Sequence, residues 1–239
     1  PKKFNIMLKK VVITGGEGRF AQILKRDNKK LNILYPTKKK LNVLDINSIK
    51  KYLKKYKPQY LIHAAALSRP MDIHDKQVSK SIDLNIIGTA NIVKVCSDLK
   101  IKLIYFSTGY VYEGRVGNYK ETDAILPINN YAWSKLGGEC AVTMYKNSLI
   151  LRIIMCEKPF IHEYAFHDIK TNFIFHEEIV KIIPKILDKT GILNVGGKIQ
   201  TVYSFAKKNN KNVKKKSGKK LFPKNISMNV LKLNKIMKW

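Results

Sequence analysis

The chain has 239 residues, 45% of them hydrophobic, which suits one α/β domain with a small appendage and leaves too little for two full domains. The net charge of +29 invites a nucleic-acid role. Yet arginine, which makes the bidentate phosphate and guanine contacts, stands only at Arg19, Arg26, Arg69, Arg115 and Arg152, and the lysines are scattered, so a lysine-rich solvated surface is favoured over nucleic-acid binding.

No window approaches the roughly 18 consecutive apolar residues of a membrane span. Cys96, Cys140 and Cys156 are odd in number and widely spaced, matching neither a disulfide framework nor a metal site; a reducing cytoplasm is expected.

Pro1–Lys10 carries basic residues, but its apolar stretch runs directly into a glycine loop, as a first strand would and a signal peptide would not. Lys10–Thr14 reads as a buried strand, and Arg19–Asp27 has helical spacing. Leu31–Tyr35 is predicted as a strand ended by Pro36, and Asn47–Tyr56 as a lysine-faced helix. Strand Tyr60–Ala66, helix Ile82–Ser97, strand Lys102–Ser107, helix Ser134–Tyr145 and strand Leu149–Met155 follow. This alternation predicts a Rossmann-type, doubly wound parallel sheet, whose ligands bind beyond the carboxyl ends of the strands. Further on, Glu178–Leu187 reads as a helix interrupted at Pro184, Gly191–Val195 as a short strand and Val202–Lys207 as a helix start. Lys207–Lys220 has almost no apolar content and is expected to be a mobile loop or exposed helix.

Thr14–Ala21, reading TGGEGRFA, lies between the first strand and the first helix. There Gly15 permits a tight turn, Gly18 lets backbone approach a pyrophosphate, and Ala21 allows close packing. At the end of the second strand, where an acidic residue would bind a ribose 2′-hydroxyl, the chain reads Tyr35-Pro36-Thr37-Lys38-Lys39-Lys40. With no carboxylate in that run and three ammonium groups, NADP(H) is preferred and NAD(H) is the alternative. Tyr131 and Lys135 are four apart and share a helix face, so phenol and ammonium can enter one cleft. A nearby cation would favour the phenolate and suit Tyr131 as a proton donor. Ser107 and Thr108 end the preceding strand with hydroxyls able to hold a carbonyl. His63, His74, His162, His167 and His176 show no H-x-x-x-H spacing and read as surface or packing residues, so no metal is expected.

Several segments in register carry a family resemblance. They are the glycine loop, Leu44–Ile46, Pro58–Ala66, Asp83–Cys96, Lys102–Gly114, Glu121–Glu139, Leu149–Ile153 and Pro223–Ile236. The chain resembles the extended short-chain dehydrogenase/reductase family, and within it the dTDP-4-dehydrorhamnose reductases. The resemblance implies a nicotinamide-binding part over 1–155 and a small, shortened substrate-binding part over 156–239. It implies that Gly15, Gly18, Arg19, Phe20 and Ala21 surround the cofactor pyrophosphate and that Lys38 reaches the ribose phosphate. Asp45 and Ile46 would lie beside the adenine, and Ala64, Ala65 and Ala66 would line the cofactor's path. Asn85, grouped with the cofactor-binding residues, would support the active-site helix. Thr108 would orient a keto oxygen, Tyr131 would give the proton, Lys135 would anchor the ribose, and Tyr110 would face the substrate.

The implied reaction is NADPH-dependent reduction of a 4-keto-6-deoxy sugar nucleotide, in a cytoplasmic homodimer paired through helices Ile82–Ser97 and Ser134–Tyr145. The sequence departs from the family in two places. Gly109 stands where an aspartate usually follows the threonine, and Glu157–Phe166 lacks the family's aromatic loop. Two alternatives stay open: an epimerase or dehydratase of the same family, and a regulatory subunit that binds NADP without turnover.

Overall fold

A computed structural model describes residues 8–218 and 222–238. Residues 1–7 of the expected first-strand approach, and 219–220 at the end of the lysine run, lie outside the described residues.

Five strands form early and in order: β1 (Lys10–Thr14), β2 (Asn32–Leu34), β3 (Tyr60–His63), β4 (Lys102–Phe106) and β5 (Ser148–Ile153). With Gly191–Val195 they make one six-stranded parallel sheet, in the order Gly191–Val195, β5, β4, β3, β1, β2. Central strands read as continuous apolar runs because both faces are covered. Val11, Val12, Ile13, Leu103 and Ile104 are fully buried. Helices α1 (Arg19–Asp27), His176–Ile186 and Leu231–Met237 pack with one cluster of strand side chains. Helices α2 (Ile46–Tyr56), Gly88–Asp98 and Asn130–Thr143 contribute to the cluster on the other side. The chain reverses its direction of travel across the sheet between β1 and β3. A doubly wound sheet opens its crevice at such a switch point, beyond the strand ends.

A separate core joins Val111, Tyr112, Tyr119 and Ile154 to Ala165, Phe175, Phe205 and Met228. Residues beyond 155 are therefore shared, because His176–Ile186 and Gly191–Val195 return to the sheet. No helix of the described residues is long and apolar enough to cross a membrane.

Three local expectations change. The helix bearing Tyr131 begins at Asn130 rather than Ser134, because the Asn129 side chain accepts the Ala132 N–H at 2.8 Å and caps it. The helix expected over Ile82–Ser97 consists of Val78–Ile82, a π-helical turn at Asp83–Ile87 and Gly88–Asp98. The lysine run, predicted as a loop or exposed helix, contains an exposed strand, Lys214–Lys216, pairing with Tyr164–Phe166. Its backbone finds a partner strand although its side chains are all lysine, and a reading by side-chain polarity misses that.

Candidate active site

The crevice begins where β1 ends. Gly15 has φ +69°, and a Cβ there would stand 3.0 Å from the Ala65 Cα, so this turn accepts glycine and little else. A Cβ on Gly16 would reach within 2.7 Å of the Tyr35 and Pro36 backbone. The loop is thus seated against the segments that follow β2 and β3. Gly18 N–H donates to the Gly15 carbonyl at 2.8 Å, and α1 starts at Arg19 with no side-chain cap. The open first-turn N–H groups and the positive end of α1 make an anion cradle.

Ala21 is buried, and the Phe20 ring packs 5.0 Å from Phe106 and 5.7 Å from His176. Phe20 can therefore offer the cradle only its backbone. Lys38, Lys39 and Lys40 are exposed beyond β2. The run contains no acid, but Glu17 from the glycine loop accepts the Lys38 N–H at 3.4 Å, so the structure brings a carboxylate there after all. Asp45 uses its carboxylate to cap α2, accepting the Asn47 and Ser48 N–H groups, and Ile46 is the first helical residue.

Behind the crevice a buried hydroxyl–imidazole chain ties β1, β3 and the Asn85 turn together. Thr89 donates its hydroxyl to the Asn85 carbonyl at 2.8 Å, so it accepts from His63 Nε2 at 3.0 Å. His63 Nδ1 then faces the Thr14 hydroxyl at 2.7 Å, and the same Thr14 oxygen accepts the Ala65 N–H. Burial, with the Lys135 charge adding to it, pushes His63 down to about 3. The ring is neutral at ordinary pH and does not repel Lys135. Asn85, fully buried, exchanges hydrogen bonds with the Leu67 backbone and donates to Ser134 Oγ at 2.8 Å. The π-helical turn places Asn85 between the post-β3 loop and the Tyr131 helix.

Thr108, Tyr110 and Tyr131 come together from two segments. The Thr108 hydroxyl accepts the Tyr110 N–H at 3.2 Å and lies near enough to the Tyr131 phenol to lower its pKa. The Tyr110 and Tyr131 rings meet edge to face at 6.5 Å, and His74 lies 5.1 Å from Tyr131 on another side. Burial raises the Tyr131 phenol above its usual range, and Tyr110 adds to this. Thr108 and Arg69 pull it back. The cation acting on the phenol is Arg69 rather than Lys135, and burial outweighs it. Lys135, one turn on, is buried and carries its Nζ 4.3 Å from the centre of the Tyr105 ring, while the Tyr105 hydroxyl donates to the Lys135 carbonyl at 2.9 Å. Burial lowers Lys135 to about 7, against the raising effect of Glu139.

The sequence reading does not single out Arg69, Tyr105, Glu139 or Glu157. Glu139 accepts from Ser107, beside Thr108, and from Arg152, all buried. Only the acidity of Glu139 and Glu157 in so basic a chain could have flagged them. Gly109 is packed rather than open, since a Cβ there would lie 2.8 Å from Ile154 and from the Met228 sulfur. Gly109→Asp is therefore expected to cost about 1–3 kcal/mol of stability by overpacking, read as a lowered Tm, without raising turnover. An unchanged Tm would show that the space is free. Among the described residues no group of three or more His, Cys, Asp or Glu could hold a metal ion.

The family described as the RmlD substrate binding domain matches residues 9–156. Methionine adenosyltransferase 2 subunit beta of Pongo abelii is 29% identical over 150 residues, covering 59% of this chain and 45% of that protein. The dTDP-4-dehydrorhamnose reductase of Aggregatibacter actinomycetemcomitans is 29% identical over 148 residues, covering 60% of this chain and 50% of that one. The chain thus spans about half the length of these curated relatives. The crystal structure of dTDP-4-dehydrorhamnose reductase from Bacillus anthracis in complex with NADP superposes with a TM-score of 0.85 at 24% identity. That superposition covers 96% of this chain and 92% of the other.

Proposed function

Because the chain belongs to the RmlD substrate-binding-domain family, we propose that it reduces the keto group of a nucleotide sugar with a nicotinamide dinucleotide, as its reductase relatives are named for doing. The observation that supports this reading is Tyr131 set near Thr108, with Lys135 one helical turn on and within electrostatic reach of His63, which meets Thr14 at the head of the glycine loop. Gly15, Gly18 and the backbone of Arg19–Ala21 would hold the dinucleotide's diphosphate, Ala64–Ala66 would flank it, and Lys135 would hold the nicotinamide ribose. The bound nicotinamide supplies the hydride. Thr108 would orient the carbonyl oxygen, and the protonated Tyr131 phenol would give it a proton as carbon accepts the hydride, leaving the alcohol and a phenolate within electrostatic reach of Arg69. Tyr110 forms the substrate-side wall.

Lys38–Lys40 favour a 2′-phosphate, while Glu17 offers a partner for a ribose 2′-hydroxyl. Three ammonium groups against one carboxylate favour NADPH. The Kd for NADPH is expected to be lower than that for NADH; a lower Kd for NADH would assign the dominant role to Glu17.

Similarity to a subunit named as part of methionine adenosyltransferase, together with the packed Gly109, favours one second reading: a dinucleotide-binding regulator without turnover. Mixing the protein with NADPH and a dTDP-4-keto-6-deoxy sugar separates the two. Net loss of reduced-cofactor absorbance supports the reductase. Binding without conversion supports the regulator, and conversion without net oxidation supports an epimerase.

A homodimer is part of the proposal. Val78, Ile82, Ile87, Trp133 and Met144 expose apolar side chains on the neighbouring helical segments that the family pairs. Sedimentation is expected to give twice the chain mass, and Trp133→Glu to shift it to monomer; a monomeric parent protein would refute the pairing.

A further inference from the structure

A carboxylate bridges the two ends of the crevice. Arg19 leaves the glycine loop at the start of α1, Arg69 follows β3, and Glu157 follows the buried Cys156. Glu157 takes the Arg69 fork through both oxygens, at 2.8 and 3.1 Å, and lies 3.2 Å from Arg19 Nε. The Arg69 guanidinium is close enough to Tyr110 and Tyr131 to favour their ionised forms. The bridge Arg19–Glu157–Arg69 therefore runs from the phosphate cradle to the tyrosine end, along the span a dinucleotide would occupy.

Both guanidiniums draw on the one Glu157 carboxylate, so a stronger anion could take either of them from it. His176 lies in the same neighbourhood. It is only 5% exposed, its Nδ1 has no hydrogen-bond partner among the described residues, and it lies within electrostatic reach of Glu157, Glu177, Arg19 and Arg69. The ion pairs are partly solvated, with side-chain exposures of 52% for Arg19, 32% for Arg69 and 19% for Glu157. Such pairs contribute little and open readily. A diphosphate carries more charge and more acceptor oxygens than one carboxylate and suits guanidinium forks better.

We infer that Glu157 is an internal stand-in for a ligand's diphosphate, holding Arg19 and Arg69 across the ligand-free crevice and releasing Arg19 when a diphosphate-bearing ligand enters. This rests on the dinucleotide reading of the glycine cradle. It makes Glu157 a determinant of affinity: its charge competes with the ligand for the same cations.

The test is a fluorescence titration with NADPH, with calorimetric titrations of inorganic pyrophosphate and adenosine as probes, on the full chain and on Glu157→Gln. Removing the competing charge is expected to tighten NADPH and pyrophosphate about fivefold, corresponding to about one partly exposed ion pair, and to leave adenosine unchanged. Glu157→Asp, too short to span both guanidiniums, is expected to tighten them as well. Binding of NADPH by the parent chain with unchanged or weakened binding in both variants overturns the inference alone. Equal tightening of adenosine also overturns it, since adenosine has no diphosphate. A parent chain that binds no NADPH overturns the cofactor reading and this inference with it.

Discussion

Tyr131→Phe is expected to lower kcat about 1,000-fold, within the usual range for removing a positioned general acid, while changing the Kd for NADPH less than threefold or so. The phenol lies near Thr108, so that in the proposed reaction both would reach one carbonyl oxygen, and burial favours its protonated form. Phenylalanine preserves the ring packing against Tyr110 and His74 and removes only the hydroxyl group. A loss confined to KM would place Tyr131 in binding rather than proton transfer. A variant with full kcat would remove it from the reaction altogether. The neighbouring lysine gives a pH dependence of definite sign. Lys135 is lowered to about 7 by burial, so its charged form is lost as pH rises through neutrality. Affinity for the dinucleotide is expected to weaken on that alkaline side, and Lys135→Met should abolish this dependence.

The parts of this site legible in the sequence are those in which chemistry and spacing are local. Gly15 through Ala21 occupy one strand–turn–helix unit, and Tyr131 and Lys135 one helical turn, so each can be read without knowing the fold. The sheet follows from alternating apolar runs for the same reason. What escaped reading depends on contacts made across the chain. Arg69 and Glu157 are 88 residues apart and meet only because the segments after β3 and after Met155–Cys156 leave the sheet at the same end. Glu17 reaches the segment after β2 across 21 residues, which reverses the impression that this corner lacks a carboxylate. Asn85 reaches its place behind the crevice through a π-helical turn, a local change of period that a regular helical pattern hides. His63 looks like a packing residue in sequence and is one, yet its two threonine partners come from β1 and from the Gly88–Asp98 helix. Tyr105 reads as one more apolar strand residue, although its ring and hydroxyl both hold Lys135.

Glu139→Gln is expected to cause the largest loss of stability, about 3–5 kcal/mol, the cost of breaking a buried ion pair by removing one charge. The Glu139 and Arg152 side chains are each 4% exposed. One Glu139 oxygen accepts from Arg152 while the other accepts from Ser107 at 2.7 Å. Arg152 also donates to the Tyr112 hydroxyl at 2.8 Å and to the Glu121 carbonyl at 3.3 Å. A neutral amide leaves the guanidinium buried without a counter-charge, and for a chain of this size the Tm should fall by roughly 6–20 °C. Replacing both partners, as Glu139→Leu with Arg152→Met, is expected to recover much of that loss, because neither charge is then stranded. If the single variant melts within a few degrees of the parent, the pair is not isolated from water. The same substitution reaches the chemistry. Glu139 sits one turn beyond Lys135 and raises its pKa, so without that charge Lys135 falls further below its usual range. The alkaline limb of dinucleotide binding should then move to lower pH in Glu139→Gln. A change in stability alone would leave that limb where it is, so its displacement would tie the buried ion pair to the working charge of the site.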